Sequence, residues 1–172
     1  YIDVAVSPET VAPGEHTSFV FYFRSDKCPL YGFVSDTIRI VTDGVDGCPL
    51  PITAVVREDF SRLTDKQMKK SPIAHIAEPT IDFGRLDAPT ATRTARIKNI
   101  GKSTLELRRV YTADPGIKVE VDRMSVKPGK EATVTITVDR SQLRGAILNA
   151  RISVIANDPM SPVQNIRAVG TL

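Results

Sequence analysis

Few side chains in this sequence stand at spacings that could do chemistry, and each has a plainer explanation. His16 follows a turn and His75 lies in an alternating apolar stretch, so neither has a second histidine at metal-ligand spacing. No G-x-S-x-G pattern marks the strained turn that a hydrolase nucleophile needs, and no phosphate loop or dinucleotide fingerprint occurs. The acidic turn Asp43-Gly44-Val45-Asp46-Gly47, with Asp36 upstream, is the one place to consider for calcium. Calcium takes about six to eight oxygens. Two carboxylates with neighbouring carbonyls fall short, so Asp43 and Asp46 are a weak candidate that turn chemistry explains better. Cys28 and Cys48 are too few for a disulfide framework or a zinc site. A strand read over residues 33–42 would span about 30 Å at about 3.3 Å per residue and hold the two thiols at opposite ends. Free thiols are expected. No catalytic residue, cofactor or metal site is expected, and the sequence does not read as an enzyme.

The elements that would carry any site are strands. Val126-Lys127-Pro128-Gly129-Lys130-Glu131 sits between two alternating runs, and Val11-Ala12-Pro13-Gly14-Glu15-His16 is a close copy 115 residues earlier. Proline presets φ at one turn position and glycine supplies the permissive one, so both copies read as turns between strands. The flanks agree: Val4-Ala5-Val6 precedes one turn as Val119-Glu120-Val121 precedes the other, and 19–23 follows as 134–138 does. Residues 38–43 and 52–55 match 152–157 and 166–169 at an offset of 114. Two domain-sized units are therefore expected: a first over 1–56, a linker over 57–72, and a second over 73–172.

The second unit reads as about seven strands in roughly 95 residues, the size of an immunoglobulin-like antiparallel β-sandwich. Ala95 and Ile97 should face inward against Arg96 and Lys98, and Leu105 and Leu107 should share a face. The first unit supplies four such strands and lacks a counterpart to residues 79 to about 117. Roughly 40 further residues ahead of Tyr1, or a strand from a partner, are expected to complete it. Within the linker, Thr64 and Gln67 have capping-box spacing, and Asp65 and Lys69 suit the two ends of a short helix stopped by Pro72. Phe60, Leu63 and Met68 are expected to dock on a neighbouring sheet.

A family resemblance rests on Ile81-Asp82-Phe83-Gly84, on Asn99-Ile100-Gly101-Lys102 with its flanking strands, and on the turn around Pro128 and Gly129. These resemble an uncharacterised family of bacterial immunoglobulin-like repeats common in Bacteroidetes, related to the ASPM–SPD-2–hydin and major-sperm-protein sandwiches. Family members often carry a Cys-Gly-Cys element where this chain has Thr112-Ala113-Asp114-Pro115-Gly116, so no metal or redox role carries over. The resemblance implies non-catalytic modules of the cell envelope, with an upstream lipid anchor as one way to hold them there.

A spacer or protein-binding module working through a sheet edge or face is thus the expected function. The alternative is an accessory carbohydrate- or ligand-binding module of a larger enzyme or uptake system. Aromatic residues make up only 6% of the chain and tryptophan is absent, which argues against sugar platforms. A net charge of +3, spread over strands as in Arg93, Arg96, Lys98, Arg108 and Arg109, suits solvated sheet faces and does not form a nucleic-acid stripe. No apolar run reaches the roughly 18 residues of a membrane-spanning helix.

Overall fold

The computed structural model describes the whole chain, residues 1–172. It divides into two compact units, Tyr1–Val56 and Arg57–Leu172. Both are built from strands because the alternating runs place apolar groups on one face and polar groups on the other. The all-β immunoglobulin-like class expected from the sequence is the one observed.

In the first unit β1 (Ile2–Ser7) pairs antiparallel with β2 (Ser18–Phe23). Next come β3 (Gly32–Ile38), β4 (Val41–Thr42), β5 (Val45–Asp46) and β6 (Leu50–Val56). β3 pairs with β6, and β4 with β5. The strand read over 33–42 is therefore interrupted. The chain leaves the ladder after Ile38, and what reads as a plain turn over 43–47 is a small hairpin. Asp43 at φ +50 and Gly44 at φ +80 occupy its tip, the two left-handed positions that a two-residue hairpin turn requires. The Gly47 amide then closes onto the Ile40 carbonyl at 2.7 Å. The thiols stay apart despite the break: Cys28 is buried beside Val34 and Val56 at one end of the β3–β6 ladder, Cys48 is exposed beyond the other, and both are free.

The second unit begins with residues 57–73. Helix α1 (Asp65–Met68) is a single turn started by the capping box read from the sequence, with Thr64 Oγ1 accepting from the Gln67 amide and the Gln67 side chain returning to the Thr64 amide. No helix is long and apolar enough to cross a membrane. Nine strands follow: β7 (Ala74–Ile76), β8 (Thr80–Arg85), β9 (Thr90–Asn99), β10 (Leu105–Thr112), β11 (Ile117–Val121), β12 (Ser125–Val126), β13 (Glu131–Asp139), β14 (Ile147–Ala156) and β15 (Val163–Thr171). They form a four-stranded sheet in the order β11-β13-β9-β7 and a five-stranded sheet in the order β12-β10-β14-β15-β8.

Between these sheets lies one core. Ala132, Val134, Ile136 and Val138 of β13 are fully buried, as are Ile97, Leu105, Ile152 and Ile166. Each buried large aliphatic contributes about 1.5–3 kcal/mol. Two features depart from the sequence reading. β8 runs parallel to β15, so the sandwich is not wholly antiparallel. β7 and β8, read together as the opening of the unit, belong to opposite sheets, and the chain crosses between them before Pro79. Phe60, Leu63 and Met68 are half-buried. Phe60 and Leu63 line a groove of about 490 Å³ with Ser103, Asn157 and Pro159 and do not join the core.

Candidate functional site

The residues with chemical potential are kept apart by the fold. Asp43 and Asp46 sit on the small hairpin, where Asp46 faces Arg39 at 3.7 Å. Asp36 lies on β3, takes the Thr37 amide at 2.8 Å and the Tyr1 hydroxyl at 2.9 Å, and does not join them. Those two bonds, the amide first, hold its carboxyl below the ordinary 3.8. No group of three or more His, Cys, Asp or Glu side chains gathers anywhere. His16 is exposed in the segment after the first turn, and His75 is exposed on β7 opposite Lys98.

The motif residues have structural work. Both Pro-Gly pairs make the same turn: Gly14 (φ +86) and Gly129 (φ +75) follow Pro13 and Pro128, closed by Glu15 to Ala12 and Lys130 to Lys127, each at 3.0 Å. Gly84 (φ +64) follows Phe83, which fills the core, and its amide caps the Asp82 carboxylate at 2.7 Å. The β8–β15 pairing slips at this point.

Asn99 is the hub. It is fully buried, and its side-chain amide donates to the Ser103 and Val126 carbonyls, each at 2.8 Å. Its oxygen accepts from Gly101 at 2.9 Å and Ile73 at 3.5 Å. Its own backbone clasps the second Pro-Gly turn through Gly129 and Lys130. The sequence reading missed a similar clasp at Asp158, which is 1% exposed and accepts from the amides of Ala74, Met160 and Ser161. Asn157-Asp158-Pro159 reads as a simple turn, and only the approach of β7 shows what the carboxylate holds.

Two surfaces remain open. The first consists of the sheet edges of the first unit. β1 and β2 reproduce the register of β11 and β13, with Val4 opposite Phe21 as Val119 is opposite Ile136. β3 and β6 correspond to β14 and β15 with a two-residue slip, which keeps every side chain on its face. In the second unit β13, β14 and β15 each have another neighbour, namely β9, β10 and β8. Their counterparts β2, β3 and β6 have none. The apolar surface follows suit. Twelve of the eighteen exposed large apolar side chains, among them Val20, Phe21 and Phe33, lie in the first unit, whose core holds three residues against twenty-one. A groove of about 860 Å³ opens there, lined by Val4, Val6, Phe19, Ile38 and Val41.

The second surface is the outer face of the five-stranded sheet. Arg151 on β14 stands directly opposite Arg167 on β15, and both are exposed. Like charges so placed repel, and none of the ion pairs in the protein includes either group. On β10, by contrast, a bulge at Arg108 lets two consecutive arginines reach outward. Arg108 forks onto Glu58 at 2.8 and 2.9 Å, and Arg109 covers the Tyr111 ring at 3.9 Å. Arg167→Glu should therefore replace a repulsive cross-strand pair by an attractive one and raise the unfolding midpoint by roughly 2–4 °C. A lower midpoint in a thermal scan would show that the pair is not repulsive.

Comparisons with known proteins bear on the fold. Residues 72–171 match the family model described as HYDIN/CFA65/VesB-like, Ig-like domain. No curated protein matches the chain. A crystal structure of a protein of unknown function from Porphyromonas gingivalis W83 is similar at 19% identity and TM-score 0.73, covering 98% of this chain and 84% of that one. The VesB protease of Vibrio cholerae is similar at 13% identity and TM-score 0.50, covering 79% of this chain and 41% of the protease. At these identities the likeness is one of fold.

Proposed function

This chain belongs to the HYDIN/CFA65/VesB-like Ig-like domain family, and from that premise we propose that it is a non-catalytic cell-envelope module that binds protein through a sheet edge. The observation that carries the reading is the open edges of the two-stranded ladders β1–β2 and β3–β6 in the first unit. On the side away from their ladders, β2 and β6 have no neighbouring strand, and exposed apolar side chains such as Val20, Phe21 and Val55 lie on them, a surface suited to an added strand. The pattern proposed for the occupant is taken from the counterpart in the second unit. β9, with Ala95 and Ile97 inward and Arg96 and Lys98 outward, lies on β13 where β2 is bare. The occupant is an extended segment of that alternating kind, supplied by chain ahead of Tyr1 or by a partner, and main-chain hydrogen bonds supply most of its affinity. The second unit, with its large core, serves as the rigid spacer. Envelope placement is supported by the resemblance carried by residues 81–84 and 99–102.

Amide hydrogen exchange tests the edge. In β13, flanked on both sides, all amides should exchange slowly. In β2, flanked by β1 alone, the amides facing away should exchange fast and slow down on addition of a peptide with the sequence of residues 90–99. Uniform protection of β2 in the free monomer, or no response to the peptide, would remove the basis for edge binding. Recovery of the native protein solely from the cytosolic fraction of cells would count against the envelope.

A further inference from the structure

We infer that the outer face of β14 and β15 is a docking site for an acidic protein segment, separate from the edges of the first unit. Four side chains form it: Asn149 and Arg151 on β14, Asn165 and Arg167 on β15, lining a shallow groove of about 370 Å³. Their hydrogen bonds are one-sided. The Asn149 oxygen is taken by Arg167 Nε at 2.9 Å, and the Asn165 oxygen is taken by the Ser153 hydroxyl at 3.3 Å. The acceptors are thus engaged inside the patch, while no hydrogen bond or ion pair engages the terminal nitrogens of either guanidinium or either amide NH2 group. The one carboxylate on the adjoining strand, Asp82 opposite Val169, accepts the Gly84 amide at one oxygen and forms no ion pair with either arginine. A surface of donors with two unneutralised positive charges fits carboxylates, which accept two parallel bonds from one guanidinium.

Two features favour a protein as their source. The groove is lined by no aromatic ring on which a sugar could stack. The arginines stand one residue deep on neighbouring strands, so their Cβ atoms lie about 5 Å apart, close to the roughly 6–7 Å between alternate residues of an extended chain. A partner strand carrying acidic residues at alternate positions would meet both. Keeping two arginines opposed with no internal counter-charge lowers the stability of the sheet, as expected where a surface is held for a ligand.

Fluorescence anisotropy with a short labelled oligoglutamate peptide tests this. The wild-type chain should bind it, less tightly as salt rises. The double variant Arg151→Gln with Arg167→Gln should lose about tenfold or more in affinity while its unfolding midpoint stays level or rises. Neutralising Lys66, Lys69 and Lys70 to glutamine removes more charge and should change binding less than about twofold. The proposal is overturned by absence of binding to the wild type, by an equal loss in the lysine variant, or by inorganic phosphate or polygalacturonate competing more strongly than free oligoglutamate.

Discussion

Replacing Asn99 by alanine should destabilise the second unit by about 3–5 kcal/mol, the largest effect expected of any single polar substitution here. The side chain is fully buried and satisfies four backbone groups, those of Ile73, Gly101, Ser103 and Val126. A buried backbone group left without its partner costs about 1–3 kcal/mol; the Val126 carbonyl is fully buried and the other three groups are partly so. For a unit of this size the midpoint should fall by roughly 4 °C per kcal/mol, so by about 12–20 °C. Asn99→Asp separates hydrogen bonding from shape. The new carboxylate could still accept from Gly101 but would face the Ser103 and Val126 carbonyls with no proton to donate. Protonation restores one donor, so this variant, unlike alanine, should gain stability relative to wild type as the pH falls through the raised value of that buried acid. A loss under about 1 kcal/mol for Asn99→Ala in denaturant titration would mean that the hub does not bear the fold.

Gly101→Ala should cost about 2–4 kcal/mol by a different route. A Cβ at this position would stand 2.5 Å from the Ser71 carbonyl oxygen and 2.6 Å from the Pro72 carbonyl carbon, and against the Ile73 nitrogen as well. All three are backbone atoms, so no side chain can swing aside. Residues 71–73 must move, and the bonds from Lys102 to Ser71 at 3.1 Å and from Ile100 to Ile73 at 3.0 Å go with them. Gly84→Ala is the control. Gly84 needs its positive φ, but a Cβ there meets nothing within 4 Å, so only the left-handed strain of about 1–2 kcal/mol applies. Gly101→Ala should therefore be the more damaging of the two. It should also release the Ile100 and Lys102 amides to fast hydrogen exchange while the β13–β9 ladder stays protected. The reverse ranking would show that the segment over 71–73 is loosely held.

These two residues explain why the Asn-x-Gly-Lys element resembles a family signature without carrying chemistry. Asn99 and Gly101 fix the point where residues 71–73 enter the sandwich, and Arg108 with Glu58 pins the same stretch further back. Holding residues 71–73 against the sandwich of their own unit is a sufficient role for them.

Local physics made much of the fold readable in the amino-acid order. Alternation placed Ala95, Ile97, Leu105, Leu107 and the β13 residues correctly, because a strand presents alternate side chains to opposite faces whatever its partner. The Pro-Gly turns and the Thr64 capping box followed from the preferences of a few adjacent residues. Long-range geometry decided the rest. Which sheet β7 and β8 join, and that β8 runs parallel to β15, depend on partners some ninety residues away, such as the Gln164 side chain that bonds to Ala74. Asp158 looks like an ordinary turn residue until β7 brings its amide to the carboxylate. Arg151 and Arg167 look like two scattered charges until register sets them face to face. Spacing along one strand cannot express that juxtaposition, because register is settled by burial of the inner face, here Ala150 and Ile152 against Ile166 and Ala168.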